Sequence, residues 1–252
     1  MSNVEWICWG WIGIAAITHI ILFYVKAPFG RHTSDKWGMT MDNKWGWFVM
    51  ELPSLLIMAY FLIKGTYSHL SYVWILFAIW MLHYINRTII YPMRIKPTPK
   101  RMPLVIVASA IFFNCVNAGL NGYYLAEIAP AADYGQDWLT SLHFLTGGIV
   151  FLTGMFINWN SDSVLINLRN KGESNYRVPH GLLFDRVSSP NLLGEVIEWV
   201  GFAIMAWNLP AVSFAVWTYA NLVPRAKNHH NWYIGYFDHY PRQRKAIFPY
   251  IY

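Results

Sequence analysis

The sequence predicts an all-α, multi-pass membrane protein of seven transmembrane helices, with its N-terminus outside and its C-terminus in the cytosol. Three observations carry this reading. Of the 252 residues, 56% are hydrophobic and 18% aromatic, while only 13% are charged, about half the charged share of a soluble domain. That balance excludes an ordinary cytosolic globule, which needs more charge to cover its surface, and it excludes disorder. Apolar runs long enough for the roughly 20 residues of a membrane crossing recur along the chain. The basic residues gather in alternate connections.

Five runs qualify as spans: Val4–Val25, Trp45–Ile63, Leu70–Tyr91, Pro103–Ala126 and Trp138–Ile157. The first is too long for a cleaved signal peptide and carries Glu5 where a basic region would stand. The stretch Leu192–Val223 would reach about 48 Å as one helix, too long for a hydrocarbon core of about 30 Å. Pro210 near its middle breaks it, which gives a hairpin of two short spans and a total of seven.

With the N-terminus outside, the inside connections hold Lys26, Arg31, Lys36 and Lys44, then Arg94, Lys96, Lys100 and Arg101, then Arg169, Lys171, Arg177 and Arg186. The tail adds Arg225, Lys227, Arg242, Arg244 and Lys245, so that seventeen of the 19 basic residues face the cytosol. The outside connections hold Lys64, and the fourth connection is acidic, with Glu127, Asp133 and Asp137. This bias fixes the orientation and accounts for the net charge of +6 without nucleic acid. Cys8 and Cys115 both lie in apolar runs and read as buried thiols, with no disulfide framework and no zinc site.

Ionisable residues inside spans are costly and mark function or tight pairing. Glu51 lies roughly 9 Å inside the cytosolic end of span two, and Pro53 loosens the backbone beside it. On span three Tyr84, Arg87, Thr88 and Tyr91 share a helical face, with Tyr84 about 10 Å deep and level with Glu51. One reading is a structural Glu51–Arg87 ion pair. The other is an acid that its apolar surroundings keep in the donor form, beside a phenol, so that two donors polarise one carbonyl. Span four carries a stripe of Asn114, Asn117 and Asn121, which serves either helix–helix hydrogen bonding or a cavity wall.

The cytosolic half holds Asn158, Asp162, Arg169, Tyr176, Asn191, Glu195, Glu198, Arg225, His229 and Tyr233. Basic groups interleaved with aromatics suit a phosphate-bearing ligand with a stacking ring, or else lipid headgroups. His229 and His230 are adjacent, so they face different ways on a helix, and no Asp or Cys completes a ligand set; no metal site is expected. The glycine-rich dinucleotide fingerprint and the P-loop are both absent from the sequence.

The same residues carry a resemblance. Glu51-Leu52-Pro53, His83-Tyr84 with Asn86-Arg87-Thr88, Pro190-Asn191 through Gly194-Glu195 to Glu198-Trp199, Pro224-Arg225-Ala226 with His229-His230, and Tyr240-Pro241 through Arg244-Lys245-Ala246 resemble the steroid 5α-reductase family. The likeness runs in order over nearly the whole chain and is densest from Asn158 onward. It implies a seven-helix membrane enzyme of one domain, residues 1–252, that uses NADPH to reduce the C4–C5 double bond of 3-oxo-Δ4 steroids. Carried over by motif, Glu51 and Tyr84 are catalytic. Asn158, Asp162, Arg169, Tyr176, Asn191, Glu195, Arg225, His229 and Tyr233 form the cofactor set, mainly in 158–252. Arg87, Tyr91 and Asn114 face a substrate cavity set mainly among the spans of 1–126.

Where the family often places Asn and Arg after span three, this chain has Ile95 and Thr98, with Arg94 or Lys96 as substitutes, and Ser109 replaces a basic residue of some relatives. The steroid is expected to enter from the bilayer of a bacterial cytoplasmic membrane or the endoplasmic reticulum, and the protein to be a monomer in contact with lipid, without nucleic acid or metal. Two competing classes are an isoprenylcysteine-type methyltransferase using S-adenosylmethionine, which needs no carbonyl clamp, and a non-enzymatic sterol-binding protein, which would not consume NADPH.

Overall fold

A computed structural model describes residues 2–28, 30–33, 37–67, 70–96, 101–129, 134–168 and 176–252. Among the described residues seven long helices form the body. Helix α1 is Asn3–Tyr24, α2 is Asn43–Lys64, α3 is Ser71–Arg94, α4 is Leu104–Ile128 and α5 is Leu142–Asn167; α6 is Pro190–Ala206 and α7 is Leu209–Tyr236. The first five are long and apolar enough to cross a membrane. Helix α6 has 17 residues and the second half of α7 is polar.

The caps follow from local chemistry. Ser2 and Glu5 form a reciprocal capping box on α1. Asp42 accepts from the Lys44 and Trp45 amides at the start of α2, and Ser141 from Phe144 at the start of α5. The final hairpin is present, but Pro210 does not break it. The break is at Trp207, in the left-handed region at φ 45°, followed by Asn208, whose side chain caps α7 through the Ala211 amide at 2.9 Å. Pro210 sits in the first turn of α7, where its missing N–H costs nothing. Nor is α7 short: it runs 28 residues through Pro224 and carries into a helix the segment that the sequence reading assigned to the tail.

The connections sort to two ends. At one end Arg31 meets Tyr233, Arg94 meets Ser163, and the three-residue strands β1 (Thr40–Asp42) and β2 (Arg101–Pro103) pair antiparallel. At the other, Thr66 bonds Glu127, and Tyr134 bonds the Ala206 carbonyl and accepts from Asn208. The helices therefore run alternately up and down. Among the described residues the two short strands are the only sheet, a small addition to the all-helical expectation.

Helices α5 and α6 touch through glycines. A Cβ on Gly154 would lie 2.2 Å from the Glu198 amide nitrogen, and one on Gly194 would lie 2.4 Å from the Asn158 nitrogen. Gly147 and Gly201 repeat the contact two turns away. Small residues let backbones approach where lipid offers no hydrophobic drive between helices. Helix α1 leans on α7 through Trp217, which donates to the Trp11 carbonyl at 2.8 Å, while Ile17, Ile20 and Ile21 stay exposed and suit a lipid-facing side. The core centres on the buried rings Trp80, Trp199, Phe202 and Phe214, with Tyr84 stacked on Trp80 at 5.3 Å.

Candidate active site

One cavity of about 860 Å³ opens between the helices. Its inner part is lined by apolar side chains of α1, α4 and α7, among them Trp11, Phe112, Phe113 and Trp217; its outer part is polar. Apolar walls with a few converging polar groups are the usual form of a small-molecule site.

Where the two parts meet, α2 and α3 present Glu51 and Tyr84. Pro53 removes the helical partner of the Val49 carbonyl, and the adjoining Met50 carbonyl accepts the Asn114 amide at 2.7 Å. The same amide donates to Glu51 Oε2 at 3.0 Å. The Tyr84 hydroxyl donates to Asn114 Oδ1 at 3.2 Å, and the Ser54 hydroxyl donates to it at 3.1 Å. Acid and phenol thus share one amide.

Arg87 stands beside them, on a turn where α3 widens to i→i+5 hydrogen bonds over Asn86–Ile90. Such turns are rare and often functional. Its guanidinium is 3.4 Å from Asp162 and 3.5 Å from Glu195, and lies over the Trp47 ring at 4.6 Å. The Glu51–Arg87 ion pair considered from sequence is not formed; the described partners of Arg87 are Asp162 and Glu195. The widened turn also separates Thr88 from its expected face. Tyr84, Arg87 and Tyr91 line the cavity, whereas Thr88 is buried away from it.

In the outer part Asp162 accepts from Asn191 at 3.2 Å, and Asn158 donates to the Asn191 carbonyl at 2.9 Å. Asp162, Tyr176, Asn191, Glu195, Arg225, His229 and Tyr233 line the cavity, while Asn158 stands one layer behind Asn191. Arg169 and Thr98 lie outside the described residues. Lys96, Ile95 and Ser109 reach the wall, and Arg94 instead bonds Ser163 at 2.7 Å. Of the asparagine stripe, Asn114 lines the cavity. Asn117 accepts from Trp11 at 3.1 Å, and Asn121 donates to the Pro210 carbonyl at 3.3 Å, so both tie helices together.

Several contributors escaped the sequence reading. Arg31, counted there only as a charge, donates to the Tyr233 hydroxyl at 3.2 Å and lies over the Tyr233 and Trp232 rings at 4.4 and 4.6 Å. Among the described residues its Nη1 and the His32 Nε2 are buried without a hydrogen-bond partner. Such atoms are rare unless something else fills the site. His32 stacks on His229 at 5.8 Å. Burial, and then Arg31, Lys26 and Arg225, push its pKa down to about 4. Glu195 and Glu198 pair with Arg87 and His83, the latter at 2.8 Å.

The model of the family described as 3-oxo-5-alpha-steroid 4-dehydrogenase matches residues 100–252. A steroid 5-alpha-reductase of Gossypium hirsutum is 36% identical over 95% of this chain and 93% of its own. The 3-oxo-5-alpha-steroid 4-dehydrogenase 1 of Rattus norvegicus is 37% identical over 95% and 92%, and that of Homo sapiens 38% over 90% and 87%. The chain belongs to the steroid 5α-reductase family of oxidoreductases.

Proposed function

We propose that this member of the steroid 5α-reductase family reduces the C4–C5 double bond of 3-oxo-Δ4 steroids with NADPH. The observation that carries the reading is the convergence of Glu51 and Tyr84 on one amide, at 3.0 and 3.2 Å, where the apolar and polar parts of the cavity meet. NADPH, when bound, supplies the hydride that goes to C5. As it arrives, negative charge moves to the C3 oxygen, where Glu51 and Tyr84 donate hydrogen bonds to the developing enolate. C4 then takes a proton that comes in the end from solvent, and the C3 carbonyl re-forms. Tyr91 and Arg87 border the steroid, and the apolar walls keep water from it.

The outer part of the cavity suits the cofactor. Arg31 and Arg225 offer cations for phosphates, the Arg31 Nη1, unpartnered among the described residues, supplies a donor, and Tyr176, Tyr233 and His229 offer ring faces. Asp162, Asn191 and Glu195 make the polar wall nearest Arg87, and Asn158 holds Asn191 in place.

The chain is one domain over 1–252, with the cofactor held mainly by 158–252 and the steroid among the helices of 1–126. All seven helices cross, with the N-terminus outside and the C-terminus in the cytosol of a bacterial cytoplasmic or endoplasmic reticulum membrane. A monomer takes its substrate from the bilayer. The alternation of the connections between two ends supports this arrangement.

The test is purified protein with NADPH and a panel of 3-oxo-Δ4 steroids, followed by mass spectrometry for a gain of two hydrogens. Glu51→Gln and Tyr84→Phe should each lower turnover by about 10²–10³ while the fold and NADPH binding persist. Unchanged turnover in Tyr84→Phe would sink the carbonyl clamp.

A further inference from the structure

We infer that Asn114 is a positioning residue: it fixes which Glu51 oxygen is left to donate and accepts the Tyr84 hydrogen bond until a ligand carbonyl accepts it instead, with Ser54 steadying the amide during the exchange. The inference rests on the carbonyl clamp proposed above.

The orientation of the Asn114 amide follows from chemistry. The Met50 carbonyl can only accept, so the atom 2.7 Å from it must be the NH₂ group. The carbonyl Oδ1 therefore faces Ser54 and Tyr84, and both hydroxyls must donate to it. A phenol has one hydrogen. With that hydrogen committed to Asn114, Tyr84 cannot donate to a second oxygen without releasing the first.

Release is made easy by Ser54. A buried carbonyl stripped of its donor is costly, and Asn114 is only 2% exposed. Because the fully buried Ser54 hydroxyl stays on Oδ1 at 3.1 Å, the amide remains satisfied when Tyr84 turns its hydrogen to a ligand. The exchange then swaps one neutral hydrogen bond for another.

The NH₂ group acts on the acid. It donates to Glu51 Oε2, which must accept, so the hydroxyl of an un-ionised Glu51 belongs on Oε1. Among the described residues Oε1 makes no hydrogen bond, and Glu51 and Tyr84 both line the cavity. One amide thus sets both donors.

Ser54 gives the sharpest test, because it does not line the cavity and cannot touch the steroid. Ser54→Ala, Asn114→Ala and their combinations with Tyr84→Phe and Glu51→Gln are assayed with NADPH and androst-4-ene-3,17-dione. Ser54→Ala should lower kcat about tenfold, one neutral hydrogen bond's worth, with steroid KM little changed. In the Tyr84→Phe background it should be silent. Asn114→Ala should lower kcat by about 10² alone and by less than about threefold in the Glu51→Gln, Tyr84→Phe background, since groups acting as a unit are not additive. If Tyr84→Phe impairs turnover while Ser54→Ala and Asn114→Ala do not, this inference alone falls. If both variants lower melting temperature and cost the same in every background, they merely brace α2 against α4, and it falls as well. If Tyr84→Phe itself is silent, the clamp fails and takes this inference with it.

Discussion

Gly154→Ala should loosen the contact between α5 and α6 and with it the side of the cavity proposed for the cofactor. The added Cβ would lie 2.2 Å from the Glu198 nitrogen, 2.6 Å from the Gly194 oxygen and 2.7 Å from the Glu198 Cα. All three are backbone atoms, so no side chain can swing aside. The shortest is 1.2 Å inside the 3.4 Å at which ordinary contact begins, and the helices must part by about that much. Overpacking of this kind costs about 3 kcal/mol at the upper end of its usual range. Alanine returns roughly 1 kcal/mol of helix propensity, leaving a net loss of about 2 kcal/mol. At about 2–4 °C per kcal/mol for a chain of this size, the melting midpoint should fall by roughly 4–8 °C.

The control is six residues away. At Gly148 a Cβ would meet only the Met205 sulfur, at 3.7 Å, so Gly148→Ala keeps the propensity gain and should raise the midpoint slightly. Thermal unfolding of both variants in one detergent separates the signs. Parting the helices also pulls Asn158 from the Asn191 carbonyl, a 2.9 Å bond one turn along, so KM for NADPH should rise in Gly154→Ala and not in Gly148→Ala. Equal midpoints for the two would refute the glycine-contact reasoning.

Arg31→Ala should raise KM for NADPH about tenfold or more, the worth of a charged hydrogen bond, with little change in steroid KM; no change would leave Arg31 as a brace for the Tyr176–Trp232 cluster. Arg225→Ala and Arg169→Ala should act in the same direction, read by NADPH titration. His32 has its folded pKa lowered to about 4 from 6.5, so below pH 6.5 the unfolded chain binds the extra proton and stability falls as pH drops toward 4. His32→Gln should therefore lose less stability than the parent between pH 7 and 5 in parallel melts. Cysteines placed at Ser2 and Tyr252 in sealed vesicles should be labelled from opposite sides, and labelling of both from one side would refute the seven-span orientation.

Most of this was legible where a residue contradicted its surroundings. Glu51 and Arg87 stand out because a charge inside an apolar run demands an explanation, and the alternation of basic connections carried the up-and-down course of the helices. What stayed hidden depended on three-dimensional register. The widened turn at Asn86–Ile90 keeps the sequence looking like a regular helix, yet it moves Thr88 off the face of Tyr84. The second half of α7 is too polar to read as a span, so its helix was invisible to hydropathy although it carries Arg225, His229 and Tyr233. Arg31 was hidden by its company, one basic residue among several in a connection where charge already had a topological explanation.

The partner chosen by Arg87 decides how the cavity is divided. A guanidinium on the same cavity wall as Glu51 and the α5–α6 carboxylates has two ways to be satisfied. Paired with Glu51, it would hold that side chain as a carboxylate, which accepts hydrogen bonds and cannot donate to a carbonyl. Bound instead to Asp162 and Glu195, with its face on Trp47, it is satisfied within the polar part of the cavity. Glu51 is left to a neutral amide. The same choice turns Asp162 and Glu195 toward Arg87, away from competition for the donors that face the apolar part. The widened turn of α3 serves this division: Arg87 is buried on that turn, its guanidinium against Asp162 and Glu195, while Tyr84, at the end of the regular helix just before it, stays level with Glu51.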